Sequence, residues 1–529
     1  MAPALPLSPS TPLKTRLVAV MCAAALLAGA APVRAQHNLP ALGDAATEDF
    51  GIAAEKRLGE QIMREIRRDP DYIDDAVLLE YLQSVFVPLV TQARAIGNIG
   101  VDIDSRFAWE PFLVRDPSVN AFALPGGYVG VHLGLIALTG SRDELAGVLA
   151  HELSHVTQRH IARSIANSKR QSLLGVAAMI IGVLAASRAR SPDAAAAAVT
   201  GGQAATIQGQ LNFSRDVERE ADRIGFAVMT GAGFAPGGMA AMFERLDQAA
   251  RLNDNGSYPY LRSHPLTSER IGEARSRMGS APARPSLFAS SPYEHSLAQA
   301  RARVLMDTRA DALQRWQALD NERSDGALPA RLADAYSSAL ASTLLRDHAR
   351  ADKSLARAET LLTNSPRNDT RAMRALGLLK AQMLLARGDV AGANVALQPF
   401  AGDGSRPAIV YGAEIALAAA PGPGAEPALR RSADELQTRV ATQPLDANAW
   451  SLLARVWNRL GQPLRSLRAE GEMQLALGDL PGAIDRLRAG QRLARNSTSA
   501  DFIEASVIDS RLRDIQAQFK DLSAEERKQ

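Results

Sequence analysis

The sequence predicts an α+β fold that is mainly α: an N-terminal domain carrying a small β-sheet with an exposed edge, followed by an all-α solenoid of stacked helices. Three observations carry this prediction. Extended patterns are confined to a short region around Phe107 to Val131. Between Gly279 and Pro292 the chain turns rich in Ser, Ala and Pro, a composition that marks a boundary. Beyond it strand signals almost vanish, and two stretches match each other: Leu385-Ala386-Arg387-Gly388-Asp389-Val390-Ala391-Gly392-Ala393 and Leu475-Ala476-Leu477-Gly478-Asp479-Leu480-Pro481-Gly482-Ala483.

The first element is not part of the fold. Residues 1–35 hold Lys14 and Arg16, an apolar run from Leu17 to about Ala31, and the small-residue site Val33-Arg34-Ala35, the pattern of a secretory signal peptide. The mature chain is expected to begin at Gln36. Removing residues 1–35 takes away Lys14, Arg16 and Arg34 and no acid, so the formal charge of +3 falls to zero. Nucleic acid is therefore not an expected partner. Cys22, the single cysteine, goes with the signal, and its flank Ala19-Val20-Met21 disfavours a lipoprotein anchor. A thiol-free mature chain suits an oxidising compartment, and export to the periplasm is the simplest reading.

Strand signals come next. Phe107 to Val114 reads as an edge strand despite Pro111, and Asp116-Pro117-Ser118 as a turn. Ala121 to Leu124 and Tyr128 to Val131 form a second extended region, broken by Pro125-Gly126-Gly127. An edge strand at this place could pair with an extended peptide backbone without demanding a sequence, which makes Asn120, Ala121, Phe122 and Ala123 candidates for substrate contact.

A helix is predicted from about Arg142 to about Ile165. Ser141-Arg142-Asp143-Glu144 has the form of a capping box, and Leu145, Val148, Leu149, Leu153 and Val156 recur mostly at helical spacing. This helix carries His151-Glu152-Leu153-Ser154-His155, an H-E-x-x-H motif. At about 100° per residue the two imidazoles lie about 40° apart and one turn along, so both can grip one metal ion. Glu152 is near enough to hold the attacking water without being a ligand. The arrangement is the signature of zinc peptidases.

Two histidines leave a catalytic zinc site one protein ligand short. The best candidate lies in Ser214-Arg215-Asp216-Val217-Glu218-Arg219-Glu220-Ala221-Asp222, where Glu218, Ala221, Asp222 and Gly225 share one helix face and Glu220 points about 200° away from Glu218. Small Ala221 and Gly225 would permit close packing on the metal helix. Glu218 is the expected third ligand, with Asp222 placed to orient a ligating histidine or to hydrogen-bond the reacting centre. His160 falls off the ligand face and reads as structural, and His132 has no clear role beyond lining the cleft.

Between these helices, Leu173 to Ala186 is apolar but too short for a comfortable span, which needs about 20 residues. Residues 171–210 therefore read as a lid over the site or as an insertion that touches a membrane surface peripherally. In the C-terminal half the matched stretches look like turns between paired helices of a tetratricopeptide array. Trp450, Leu453, Leu460 and Gly461 supply a Trp-x2-Leu…Leu-Gly element of the same type, with Pro366 and Pro399 ending helices.

His-Glu-x-x-His followed by Glu-x-x-x-Asp resembles the metallopeptidase family that includes the CAAX prenyl endopeptidases and bacterial membrane quality-control proteases. With the signal peptide, Asn120-Ala121-Phe122-Ala123-Leu124-Pro125-Gly126-Gly127 and the repeats, the resemblance spans nearly the whole mature chain, most strongly Asn120 to Ile271. It implies a zincin-like metallopeptidase domain over residues 36–280 and a tetratricopeptide-like domain over 293–529. It also implies one zinc ion per subunit on His151, His155 and Glu218, with Glu152 as general base and Asp222 assisting as proton donor or ligand support. His264, in Ser263-His264-Pro265, is implied to take the fourth zinc position and hold the enzyme off; the following proline biases it toward extended backbone, so its ring can project. The implied activity is periplasmic hydrolysis of unfolded or misassembled outer-membrane proteins, with the repeats meeting the outer-membrane barrel assembly machinery. The rival expectation is a non-proteolytic chaperone or scaffold acting through the repeats.

Overall fold

The computed structural model describes residues 51–167, 215–252, 258–280, 286–287, 291–322, 326–422, 424–495 and 502–526. The expected signal peptide and the expected lid at 171–210 lie outside these residues.

Helix α1 (Ile52–Ile66) leads through the two-residue strand β1 (Tyr72–Ile73) into α2 (Ala76–Ala95). Strands β2 (Glu110–Val114), β3 (Ala121–Leu124) and β4 (Tyr128–His132) complete a mixed sheet of order β1-β2-β4-β3. Strand β2 runs parallel to β4, and the other two pairs are antiparallel. The expected edge strand at Phe107 to Val114 is therefore an interior strand, because β1 covers its far side. Pro111 is tolerated there for a specific reason. The Glu110 N–H donates to Gly127 O, so alternate residues face β4, and Pro111 faces the β1 side, where β1 reaches only Leu113 and Val114. Among the described residues the edges are β1, of two residues, and β3. In its register Phe122 lies opposite Gly130, whose missing side chain leaves room for the Phe122 ring.

After the short helix α3 (Leu133–Leu138), α4 (Arg142–Thr157) begins where the capping box places it. Ser141 Oγ accepts the Glu144 N–H at 3.1 Å, and the Glu144 carboxylate accepts the Gly140 N–H at 2.7 Å. Its end differs from expectation. The helix stops at Thr157, Arg159 takes φ of +53°, and a separate helix α5 (His160–Asn167) follows. The buried ion pair of Arg159 Nε with Glu55 Oε2 of α1, at 2.8 Å, holds this break.

Helices α6 (Arg215–Gly231) and α7 (Gly237–Leu252) pack against α4, followed by α8 (Pro259–Ser263) and α9 (Ser268–Ser280). One large core joins α2, the inner face of the sheet, α4, α6 and α7. The next helix, α10 (Glu294–Met306), is shared: Ala298 and Ala302 belong to that core, whereas Leu297, Ala300 and Val304 belong to the first core of the repeats.

The remainder is helical pairs: α11 (Ala310–Glu322), α12 (Leu328–Leu344), α13 (His348–Thr363), α14 (Thr370–Ala386), α15 (Val390–Leu397), α16 (Arg406–Ala418), α17 (Glu426–Thr442), α18 (Ala447–Arg459), α19 (Pro463–Ala476), α20 (Leu480–Ala494) and α21 (Phe502–Glu526). The two matched stretches form the same turn. Gly388 and Gly478 take φ of +83° and +77°, and Asp389 and Asp479 cap the next helix by accepting the Gly392 and Gly482 N–H groups. The turn at Arg346-Asp347 copies it with φ of +61° on a non-glycine residue, which the motif in the sequence did not disclose. This succession of helix pairs is consistent with a helical repeat region.

The repeats hold α2 by charge. Asp75, the N-cap of α2, receives both Nε and a terminal nitrogen of buried Arg301 at 2.7 Å, and Arg301 also reaches Tyr336 and Gln382. Arg406 binds Asp74 and Asp446, and Arg374 binds Glu80. Helix α2 is apolar enough for a membrane span by length and composition, yet half of its apolar window is buried inside the protein and its side chains join the main core, so it reads as a core helix.

Candidate metal centre

Helix α4 brings His151 and His155 to one face, and α6 crosses it closely enough to add Glu218. The close approach rests on Ala221, fully buried, and on Gly225, where a Cβ would sit 3.0 Å from Ala150 C, Ala150 O and His151 N. His264, at the C-terminal end of α8 with φ of −124° and ψ of 78°, projects its ring between them.

Donor atoms of His151, His155, Glu218 and His264 lie within 4.8 Å of one another, all buried. His151 Nε2 is 3.0 Å from His155 Nε2 and 3.3 Å from His264 Nδ1, and His264 Nδ1 is 3.0 Å from Glu218 Oε1. The Glu218 oxygens are 3.5 Å from each of the two Nε2 atoms. A tetrahedron with metal–nitrogen bonds of about 2.0–2.1 Å has edges of about 3.3–3.4 Å, close to these separations, so the residues present are suited to hold a small divalent metal ion. The chemistry agrees. The outer nitrogens of His151 and His155 are turned to other partners, so their inner nitrogens and a carboxylate converge on one point as a donor set for a metal ion, whose binding there displaces protons.

Surrounding groups set the charges. His151 Nδ1 is 2.9 Å from Asp222 Oδ1. Burial alone would lower the His151 pKa, but hydrogen bonds to Asp222 and Glu218 outweigh it and raise it to about 10 in the absence of a cation. Burial pushes His155 well below its ordinary value, with His151 adding to the effect. Glu218 is held well below the carboxylate range, because His264 and His151 overcome the burial that opposes them. Asp222 is lowered likewise: the hydrogen bonds of His151 and Arg270 overcome its burial.

Glu152 differs. Both of its oxygens are buried without a hydrogen-bond partner of ordinary geometry. Burial raises its pKa, opposed by His264, His151 and the Ala123 amide. His264 Nε2 stands 3.6 Å from Glu152 Oε1, so one ring bridges the ligand set and the carboxyl beside it. Strand β3 passes this carboxyl at Ala123. Of the other strand candidates, Ala121 is buried, Phe122 packs edge-on against Phe112 and His132, and Asn120 gives its carbonyl to the His132 N–H. His132 is buried, with its Nδ1 3.0 Å from Ser118 Oγ, and does not line a cleft.

Three residues escaped the sequence reading. Arg270 donates to both Asp222 oxygens at 2.8 and 2.9 Å and lies 2.9 Å from Glu218 Oε2, supplying the positive charge that two buried carboxylates demand. The available signal was chemical: three acids expected in one buried site, Glu152, Glu218 and Asp222, call for a buried cation, and Arg270 lies six residues after His264. His160, read as merely structural, lies with its Nδ1 2.9 Å from His155 Nδ1 and its Nε2 3.2 Å from Glu220 Oε2. Tyr260 packs its ring 4.8 Å from that of His264 and buries a hydroxyl without a partner.

A mostly helical fold, a mixed four-stranded sheet and a His-Glu-His-His cluster define a metallopeptidase. The family model for peptidase family M48 matches residues 91–278. Over 526 residues the chain is 30% identical to the beta-barrel assembly-enhancing protease of Escherichia coli K12, covering 96% of this chain and 98% of that one. It is 37% identical over 316 residues to a Vibrio cholerae protein provisionally named for the same role, 59% of this chain and 62% of the relative. It is 32% identical over 223 residues to the mitochondrial metalloendopeptidase OMA1 of Schizosaccharomyces pombe, 42% of this chain and 60% of that one. The chain belongs to peptidase family M48.

Proposed function

We propose that this chain is a zinc-dependent endopeptidase of the periplasm that cleaves misfolded or misassembled outer-membrane proteins, and that His264 holds it latent. The observation that carries this reading is the convergence of three imidazole nitrogens and one carboxylate within 4.8 Å of one another, beside a buried Glu152 carboxyl that is not part of the ligand set. A purely structural site has no use for that carboxyl. The name of the Escherichia coli relative supports the substrate class, and the expected signal peptide supports the address.

His151, His155 and Glu218 would hold the ion, with His264 in the fourth position. A zinc ion held by these residues would supply Lewis-acid polarisation of a scissile carbonyl and a lowered pKa for water. Glu152 takes the proton of the attacking water and delivers it to the leaving amine. Asp222 fixes His151 with its proton on Nδ1, and Arg270 keeps Asp222 ionised. Strand β3, at the sheet's edge beside Glu152, is the strand along which an extended substrate backbone would pair, through residues 120–123, with the Ala123 amide released from Glu152. The His264 ring stands between Glu152 and the ligand set, so it must withdraw before water and substrate can enter. The repeats, in this reading, meet the outer-membrane assembly machinery.

The test is casein digestion and zinc binding by wild type, Glu152→Gln and His264→Ala. Glu152→Gln should keep zinc and lose activity by about 10²–10⁴; equal digestion would leave a chaperone or scaffold as the better reading. His264→Ala should digest faster than wild type. Unchanged or slower digestion by that variant removes the latch.

A further inference from the structure

We propose that His160 and Glu220 form a positioning relay for His155: a chain of two hydrogen bonds from a carboxylate at the protein's rim to the outer nitrogen of the ligand. The inference rests on the reading that His155 is a metal ligand, and it concerns what makes His155 one.

The two histidines of the motif are supported differently. His151 meets a carboxylate directly, its Nδ1 standing 2.9 Å from Asp222 Oδ1. His155 meets another imidazole. Its Nδ1 is 2.9 Å from His160 Nδ1, and His160 Nε2 is 3.2 Å from Glu220 Oε2. To turn a lone pair inward from Nε2, His155 must carry its proton on Nδ1. That N–H then donates to His160 Nδ1, which forces the His160 proton onto Nε2, where it donates to Glu220. Each link has one donor and one acceptor, so the chain has a single direction and fixes both tautomers.

The fold makes this arrangement on purpose-built geometry. In an unbroken helix residue 160 would lie about 140° around and about 7.5 Å along from residue 155, out of reach. The break after Thr157, with Arg159 at φ of +53° and its guanidinium locked to Glu55, swings His160 back onto the ring it must touch. The rings meet edge to face with centroids 4.9 Å apart. Arg163, one turn further along α5, donates to the same Glu220 oxygen, Oε2, at 3.3 Å and so holds the carboxylate in place for His160. Glu220 points away from Glu218 on α6, so that helix serves both histidines from two faces: Asp222 for His151, Glu220 for His155.

The experiment is zinc affinity, by competition with a chromophoric chelator, on the full mature chain as wild type, His155→Ala, His160→Ala, His160→Asn, Glu220→Ala and Glu220→Gln. Thermal unfolding of each zinc-free variant is recorded alongside. His160→Ala should bind zinc about 10- to 100-fold more weakly, the usual effect of losing a ligand's hydrogen-bond support. His160→Asn should recover most of that loss, because its Oδ1 stands where Nδ1 accepts. Glu220→Gln should stay closer to wild type than Glu220→Ala, since it keeps an acceptor. A His160→Ala that folds and binds zinc as wild type does overturns the relay, as does a His160→Asn no better than alanine. A packing role alone would lower the zinc-free unfolding temperature without that rescue. Should His160→Ala fail to fold, the two Glu220 variants decide: equal zinc affinity in both overturns the relay. A His155→Ala that binds zinc like wild type refutes the ligand reading instead, which is a distinct result.

Discussion

Replacing Arg270 by Met should cost this protein more than any other single change near the centre that spares the ligands. The guanidinium is buried, contacts two carboxylates at 2.8–2.9 Å, donates to the Pro265 carbonyl at 2.9 Å and lies 5.1 Å from the Phe243 ring centroid. At an effective dielectric constant of about 20, one such charge pair at about 3 Å is worth about 5 kcal/mol before desolvation is charged against it. Removing one partner of a buried pair typically costs about 3–5 kcal/mol, because the other is left uncompensated. Here Asp222 and Glu218 would both be left, a few ångströms apart. The loss should be largest in chelator, where no cation replaces the arginine, and smaller in saturating zinc. Urea unfolding followed by far-ultraviolet circular dichroism, with and without zinc, measures it. Arg270→Lys should recover part of the loss, as a point charge without the planar fork. A loss below about 1 kcal/mol in chelator would be that of a solvated surface pair, and would refute the charge-balance reasoning.

Gly225→Ala should weaken zinc retention and cost about 1–3 kcal/mol, since its Cβ meets the α4 backbone and can only push α6 and Glu218 outward; unchanged zinc affinity would show that the helices have slack. His295, held by burial at a pKa of about 4, contacts the Thr139 carbonyl and the Tyr81 hydroxyl, so its neutral form is the folded one. Its folded value lies below the unfolded 6.5, so its contribution is complete above that pH and is lost as pH falls toward 4. The loss is up to about 3 kcal/mol, and His295→Gln should flatten that slope in unfolding measured against pH. Arg301→Met strands Asp75 in the interior and should cost about 3–5 kcal/mol, with faster hydrogen exchange in both α2 and α10; faster exchange in the repeats alone would deny the staple its role.

Local chemistry made the start of α4, the facing of Glu218 and the repeat turns readable in advance. Ser141, Gly225, Gly388 and Asp389 act within a few residues of themselves or through size alone. What was not readable depends on distant partners. The end of α4 is decided by Glu55, 104 residues before Arg159 in the chain. The interior position of β2 is decided by a two-residue β1 too short to have a pattern. Arg270 stood in plain view in the segment around His264, but its meaning came from carboxylates on another helix.

Strand β3 carries one further consequence. The edge it presents is read through backbone donors and acceptors, and its side chains at 121 and 123 are methyl groups. On the proposed reading, a segment already paired in a closed barrel has no such groups to spare, whereas a stalled or unfolded one has them all. The edge would therefore sort its clients by whether their strands have found partners, leaving sequence nearly out of the decision.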